Sequence, residues 1–196
     1  MGKFFTIAFP KLILAIILSS VLIHCTTTNG QSEKTAPKME LYNYDVEQKI
    51  ADLGIELPVA GPPVANYVNT VRTESNLVYT AGKGPNKPEG GYITGKVGAD
   101  LTVEEGYEAA RLCAVQLLAA LKAEVGDLNK VKRIVKVLGM VNSAPDFGNQ
   151  PEVINGCSDL LVEVFGDRGK HARAAVGMGA LPRNIAVEIE LVAEVE

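Results

Sequence analysis

Arg173 is the residue whose type and surroundings most clearly favour chemistry in this chain. It opens a stretch of small and apolar residues, Ala174-Ala-Val-Gly-Met-Gly-Ala180. A guanidinium group at the start of such a strand is partly buried, and a buried charge needs a partner of opposite sign. The partner is either an internal carboxylate, with Glu188 and Glu190 on the neighbouring predicted strand available, or the carboxylate of a ligand held bidentately.

Other reaction classes find little support in the residue types and their spacing. Beyond the N-terminal segment the chain has one histidine, His171, and no GxSxG motif, so a Ser-His-Asp triad is not predicted. Cys113 and Cys157 fall on apolar faces of predicted helices, which favours packing thiols over nucleophiles. Because the three cysteines include no CxxC pair and histidine is scarce, we expect no metal site.

Length and charge limit the class of protein further. A chain of 196 residues can bury one core, which predicts a single domain. The net charge of -4 and the absence of tryptophan argue against nucleic-acid binding, since that function needs a basic face and aromatic stacking surfaces. We therefore expect no nucleic-acid partner.

The N-terminus has the pattern of an export signal. Lys3 and Lys11 precede a short apolar run, Leu12–Ile23, and Cys25 follows it after His24. The run is shorter than the roughly 20 residues of a membrane-spanning helix, so residues 1–24 are predicted to be a signal peptide. In a lipoprotein Cys25 would be acylated and would attach the protein to a membrane; the alternatives are a plain signal peptide or an uncleaved anchor with Cys25 incidental.

These features divide the chain into three parts. After the signal peptide, the polar residues 25–40 are predicted to form a flexible tether, and residues 41–196 the folded domain. The predicted location is the cell envelope or periplasm, with a lipid anchor if Cys25 is acylated. A cytoplasmic location is the alternative.

The patterns of apolar and turn-forming residues predict an α+β domain. Strands are predicted at 68–72, 77–81, 92–96, 131–141, 173–178 and 186–195, and helices at 42–53, from Thr102 to Gly126, and from Pro151 to Val164. Thr102 with Glu105 forms a capping box, and Pro151 suits a first helical turn. The two long helices are apolar on one side only, which favours a sheet with both helices on one face and an oligomer covering the other face.

Three stretches carry a resemblance to a known family. They are Leu77-Val-Tyr-Thr-Ala-Gly82, Val141-Asn-Ser-Ala-Pro-Asp-Phe147 and the long run from His171 through Arg173, Leu181-Pro182 and the alternating strand to Glu190. Together they resemble the reactive intermediate deaminase family, also called YjgF-like or endoribonuclease L-PSP, from about Tyr67 to Val195. The helix near 42–53 and the region 83–92 indicate a divergent branch with an N-terminal extension.

The resemblance implies a chorismate-mutase-like fold that assembles as a homotrimer, with ligand clefts at the subunit interfaces. Characterised members hydrolyse reactive enamines and imines, such as 2-aminoacrylate, to 2-keto acids and ammonia without a metal or other cofactor. The substrate implied for this chain is thus a small molecule that carries a carboxylate.

The same resemblance assigns roles to individual residues. Arg173 matches the arginine that holds the substrate carboxylate, and Glu188 matches the acid that positions or activates water. Gly82 matches a glycine whose backbone approaches the ligand. Tyr67, Asn155 and Ala175 match positions that line the cleft.

The chain departs from the family pattern in the cleft. Ala81 replaces the usual serine before the glycine, Ala175 replaces the usual cysteine, and Lys83 replaces a glutamine. The loss of a hydroxyl and a thiol leaves open a second function, a non-catalytic protein that binds small carboxylates. Ribonuclease activity follows only from the family's old label, and the acidic charge and lack of a histidine pair argue against it.

Overall fold

A computed structural model describes residues 41–196, together with Gly2. The predicted signal peptide 1–24, Cys25 and the tether up to residue 40 lie outside the described residues, apart from Gly2. Within the described part of the chain, no helix combines the length and the apolar character that crossing a membrane requires.

The described residues form three α-helices and five strands. In chain order they are α1 (Val46–Asp52), β1 (Thr70–Arg72), β2 (Leu77–Thr80), α2 (Val103–Val125), β3 (Val131–Asn142), α3 (Gln150–Phe165), β4 (Ala172–Met178) and β5 (Val187–Val195). Single short 3₁₀ turns precede β3, follow α3 and precede β5.

The five strands form one mixed sheet in the order β1-β2-β5-β3-β4. Only the β3–β4 pair is parallel, and the other pairs are antiparallel. A parallel pair needs a connection that crosses back along the sheet, and α3 provides it between β3 and β4. As a result β4, which carries Arg173, is an edge strand and α3 packs beside it.

Both long helices cover the same face of the sheet, as predicted. In β5 the side chains of Val187, Ile189 and Leu191 are buried against them, while Glu188 and Glu190 alternate onto the opposite face. The buried residues of α2 and α3, mostly Ala, Leu and Val with Cys113 and Cys157, complete this core.

The capping geometry confirms the predicted boundaries of α2, whereas the first helix begins at Val46, after Asp45 as its N-cap, and not at residue 42 as predicted. The backbone N–H of Glu105 donates to Thr102 Oγ1 at 3.1 Å, and the backbone N–H of Thr102 donates to Glu105 Oε2 at 2.8 Å. Gly126 follows α2 with φ of 78°, a conformation that favours glycine. Pro151 lies in the first turn of α3 as expected.

The strand predicted near 92–96 is wrong. In this region the chain makes only isolated bridges, from Tyr92 to Asn86 and from Thr94 to Ile185. Gly90, Gly91 and Gly95 all have positive φ, so the backbone turns repeatedly and cannot run as an extended strand. Two strands, not three, therefore precede α2.

The face of the sheet opposite the long helices carries apolar side chains. Val71, Tyr79 and Val176 are 54%, 46% and 38% exposed, respectively. The register places Tyr79 beside Val192, and places Val176 opposite Met140. This surface, from β1 across to β4, is called the outer face below.

Candidate functional site

Arg173 lies on the side of β4 that faces α3. It pairs in register with Val137, which is fully buried in the core beneath the helices. Its Nη1 donates to Asn155 Oδ1 at 2.8 Å and to Ser158 Oγ at 3.0 Å, both on α3. Both acceptors are neutral, so they hold the guanidinium in place without cancelling its charge.

The prediction that Glu188 or Glu190 could pair with Arg173 inside the chain is wrong. Strand β3 lies between β4 and β5, so the two strands are not neighbours. Glu188 pairs in register with Met140, whereas Arg173 pairs with Val137, and residues an odd number apart on one strand face opposite sides. Arg173 makes no ion pair with any residue in the 41–196 range.

The rest of the guanidinium group makes no hydrogen bond to a described residue and is not fully buried. Among the described residues no buried side-chain nitrogen or oxygen lacks a hydrogen-bond partner. Nε and Nη2 of Arg173 make no hydrogen bond within the described chain, so they are not buried. Arg173 thus presents free donors and an uncompensated positive charge, which is the arrangement that a carboxylate ligand requires.

His171 continues the polar network on the same edge. Its Nε2 lies 3.1 Å from Ser158 Oγ, and its Nδ1 lies 2.6 Å from the carbonyl oxygen of Gly169. Burial lowers the pKa of His171, the Gly169 carbonyl opposes this effect, and the charge of Arg173 lowers the pKa further. The imidazole is therefore neutral at physiological pH.

Glu188 and Gly82 form a second cluster, on the outer face. A Cβ added to Gly82 would lie 2.1 Å from Glu188 Oε1, so any other residue here would displace this carboxylate. Burial raises the pKa of Glu188, and the nearby charge of Glu190 raises it further. A carboxylate with a raised pKa is suited to accept a proton near neutral pH.

Lys83, next to Gly82, supports the segment that carries Tyr67. Lys83 Nζ donates to Asn69 Oδ1 at 2.7 Å, and Asn69 Nδ2 donates to the carbonyl oxygen of Gly61 at 2.7 Å. Tyr67 lies between these anchors and is 49% exposed. Burial lowers the pKa of the Lys83 amine.

The predicted site residues therefore fall into three places within one chain. Arg173 and Asn155 are in contact, and Ala175 lies on the same side of β4, partly buried against the core. Glu188 and Gly82 are in contact on the outer face. Tyr67 is on the surface segment before β1, with no hydrogen bond from its hydroxyl to any described residue.

The two described cysteines are packing residues. Cys113 and Cys157 are buried and make no disulfide. Burial raises the pKa of Cys157 to about 12, an effect that the charge of Arg173 opposes, and burial raises the pKa of Cys113 strongly. Thiols in this state are poor nucleophiles. Across residues 41–196 no group of three His, Cys, Asp or Glu side chains is placed to hold a metal ion.

The fold and the two clusters define a class of small α+β proteins with a mixed sheet and helices on one face. Residues 47–195 match the family model described as "YjgF/chorismate mutase-like, putative endoribonuclease". This span is well over half of the chain, and the chain belongs to that family.

Individual relatives agree with this assignment. The chain is 46% identical over 150 residues to Protein TCP17 of Trypanosoma cruzi, covering 76% of this chain and 93% of that protein. The crystal structure of Atu1372, a protein of unknown function from Agrobacterium tumefaciens, has 43% identity and a TM-score of 0.71, covering 77% of this chain and 94% of that one. A "putative endoribonuclease" from Shewanella oneidensis MR-1 has 33% identity and a TM-score of 0.74, covering 78% and 100%.

One residue of these clusters, Ser158, was missed by the sequence reasoning. No local motif marks it, since its partners His171 and Arg173 lie outside its helix. The available signal for Ser158 was its position three residues after Asn155, which places both side chains on the same side of α3.

Proposed function

We propose that this protein hydrolyses small enamines or imines that carry a carboxylate, producing a 2-keto acid and ammonia in a cleft between two copies of the chain. The observation that carries the proposal is a guanidinium group with only neutral partners among the described residues. The resemblance implies that Glu188 activates water, and its raised pKa is consistent with that role. The resemblance to reactive intermediate deaminases supports this reaction class, and the two clusters offer the groups that it needs.

Arg173 is proposed to bind the substrate carboxylate. Its free nitrogens can donate two parallel hydrogen bonds to a carboxylate, while Asn155 and Ser158 hold the third nitrogen. Fixing the carboxylate fixes the adjacent imine carbon, since the two are directly bonded. Orientation of this kind is a large part of what an already electrophilic substrate needs from an enzyme.

Glu188 is proposed to activate water. The carboxylate takes a proton from water as the oxygen bonds to the imine carbon, and the nitrogen takes a proton to give a neutral carbinolamine. Collapse of this species breaks the C–N bond, forms the keto group and releases ammonia after a second proton transfer. The raised pKa of Glu188 brings its proton affinity closer to that of the reacting nitrogen.

A second copy of the chain is proposed to complete the site. Arg173 and Glu188 lie on opposite sides of one sheet, so a single chain offers each group to a different region of space. Burial of the outer face, with Val71, Tyr79 and Val176, would stabilise a homotrimer through the hydrophobic effect. In such an assembly Glu188 of one copy and Arg173 of its neighbour share a cleft.

Binding without turnover is the second candidate function. It is favoured by Ala81 and Ala175, which lack the hydroxyl and thiol of the usual family pattern. Such a protein would bind small carboxylates through Arg173 and release no ammonia. RNA cleavage, which the family description names, is not proposed, because a net charge of -4 does not favour binding to phosphates.

The deciding assay is release of 2-keto acid from freshly generated 2-aminoacrylate. The proposal expects the protein to accelerate release above the spontaneous rate, and Arg173→Ala to remove most of that acceleration. A rate that is unchanged by Arg173→Ala would rule the proposal out. Calorimetry with pyruvate separates the two candidates, because carboxylate binding without accelerated release supports the binding function.

A further inference from the structure

Ser158 and His171 form a nucleophile and base pair that the deamination chemistry does not use. Ser158 Oγ lies 3.1 Å from His171 Nε2, and the opposite ring nitrogen, Nδ1, lies 2.6 Å from the Gly169 carbonyl oxygen. This order of nucleophile, base and orienting group is the arrangement that activates serine in hydrolases. The two residues lie on α3 and just before β4, respectively, at the edge of the sheet.

The direction of each hydrogen bond follows from the chemistry of the partners. A carbonyl oxygen only accepts, so His171 Nδ1 carries the proton and donates to Gly169. In the neutral ring Nε2 then has a free lone pair and accepts the Ser158 hydroxyl proton. Ser158 Oγ in turn accepts from Arg173 Nη1 at 3.0 Å.

Arg173 strengthens the nucleophile in this arrangement. A positive charge 3.0 Å from Oγ favours the alkoxide over the hydroxyl, because opposite charges attract most strongly at short range. Ser158 is partly exposed, so a small molecule can reach it. The same guanidinium has two further nitrogens that are not fully buried and make no hydrogen bond to a described residue, so they can bind an anionic group of the incoming molecule.

We propose that Ser158 is a nucleophile, with His171 as its general base, for hydrolysis of small esters that carry a carboxylate. This activity is independent of enamine or imine hydrolysis, although both use Arg173. The carboxylate of the ester binds Arg173, and the ester carbonyl carbon meets Ser158 Oγ.

The reaction proceeds in two steps, acylation of Ser158 and hydrolysis of the resulting ester. Ser158 Oγ bonds to the carbonyl carbon while its proton moves to His171 Nε2, and the bond from that carbon to the alcohol oxygen breaks as His171 returns the proton to the leaving alcohol. The products are the free alcohol and an ester of Ser158. Water then adds to this ester with His171 as base, the bond to Oγ breaks, and Ser158 and a free acid are released.

The test uses the full chain and two matched esters, mono-4-nitrophenyl fumarate and 4-nitrophenyl crotonate. The fumarate has a carboxylate where the crotonate has a methyl group, and its trans double bond prevents the carboxylate from attacking its own ester. We expect 4-nitrophenol release from the fumarate to exceed that from the crotonate by roughly tenfold or more, the range expected for a charge-assisted contact. Mass spectrometry of the quenched reaction should find the fumaroyl group on Ser158.

Variants distinguish a catalytic role of Ser158 and His171 from a structural one. Ser158→Ala and His171→Gln should each reduce fumarate hydrolysis to the background rate, while Ser75→Ala, in the exposed hairpin turn, should leave it unchanged. Acylation of a different residue, or a wild-type rate equal to that of Ser158→Ala, would overturn the proposal. Because the acyl group is located on the wild-type chain, the test does not depend on how well the variants fold. Keto-acid release measured on the same preparation reports deamination separately.

Discussion

Arg173 and Glu188 project from opposite sides of the same sheet, separated by the whole of strand β3. Each belongs to its own cluster, Arg173 with Asn155 and Ser158, and Glu188 with Gly82. Neither cluster holds both Arg173 and Glu188, the two groups assigned to deamination. The proposed chemistry therefore depends on how copies of the chain assemble.

The charge of Arg173 can be neutralised with a change of one atom. Asn155→Asp places a carboxylate where Arg173 Nη1 now meets an amide oxygen at 2.8 Å. We expect the internal ion pair to weaken binding of pyruvate by about tenfold or more in calorimetry, because the ligand then competes with a tethered anion. Asn149→Asp, at the exposed start of α3, is the control and should bind normally.

Arg173→Lys tests whether shape as well as charge is needed. Lysine keeps the charge but cannot donate the two parallel hydrogen bonds of a guanidinium group. We expect KM for 2-aminoacrylate to rise by roughly tenfold, with a smaller effect on kcat. Steady-state kinetics check this, and an unchanged KM would show that Arg173 acts only through its charge.

A side chain at position 82 is expected to move the Glu188 carboxylate from its present place. In Gly82→Ala the new Cβ would lie 2.1 Å from Glu188 Oε1, so the carboxylate must move. We expect keto-acid release to fall by about 10²-fold, since small displacements of a catalytic group have costs of this size. Gly148→Ala adds a Cβ that meets nothing within 4 Å and should retain full activity.

Glu188 is expected to reduce stability at neutral pH. Burial, followed by the charge of Glu190, raises the pKa of Glu188 in the folded protein above its value in the unfolded chain. The folded state thus binds the proton more tightly than the unfolded state does. The contribution of protonated Glu188 to the free energy of unfolding is therefore complete below the unfolded-state pKa, and it is lost as the pH rises through the folded-state pKa.

The substitution Glu188→Gln removes this pH dependence. We expect it to raise Tm by about 1–3 °C at pH 7 and to leave Tm unchanged near pH 3.5, where both states are protonated. Thermal unfolding followed by circular dichroism measures both values. Glu74→Gln, on the exposed hairpin turn, is the control. A drop in Tm at pH 7 for Glu188→Gln would contradict the conclusion that the charged Glu188 carboxylate destabilises the fold.

Attachment to a membrane is proposed to depend on Cys25. Full-length protein expressed in a bacterium with a lipoprotein pathway should partition with the membrane fraction, and Cys25→Ser should move it to the soluble envelope fraction. Acylation adds about 0.8 kcal/mol per buried methylene, enough to change the distribution clearly. Equal partitioning of the wild-type and Cys25→Ser proteins would show that Cys25 does not attach the protein to a membrane.

Local patterns predicted most of the fold. The capping box at Thr102, the glycine after α2 and the alternation along β5 each act over a few residues, so the sequence displays them directly. The strand near 92–96 was mistaken because Tyr92 and Ile93 resemble a strand while the positive φ of Gly91 and Gly95 interrupts it.

The candidate site was only partly predictable because it depends on strand order. Arg173 and Glu188 were recognised individually, but their separation follows from β3 lying between β4 and β5, which no local pattern specifies. The contact between Ser158 and His171 likewise joins residues 13 positions apart on different elements. The sequence shows that His171 is the one histidine beyond the N-terminal segment, but not that Ser158 lies beside it.

Mixing two inactive variants tests whether Arg173 of one copy and Glu188 of its neighbour share a cleft. Arg173→Ala lacks the cation and Glu188→Gln lacks the base, and each alone should release almost no 2-keto acid from 2-aminoacrylate. If each cleft takes Arg173 from one copy and Glu188 from its neighbour, random co-assembly restores both groups in roughly one quarter of the clefts. We therefore predict that co-refolding equal amounts of the two variants recovers about a quarter of the wild-type rate. A mixture as inactive as its components would contradict a shared site between copies.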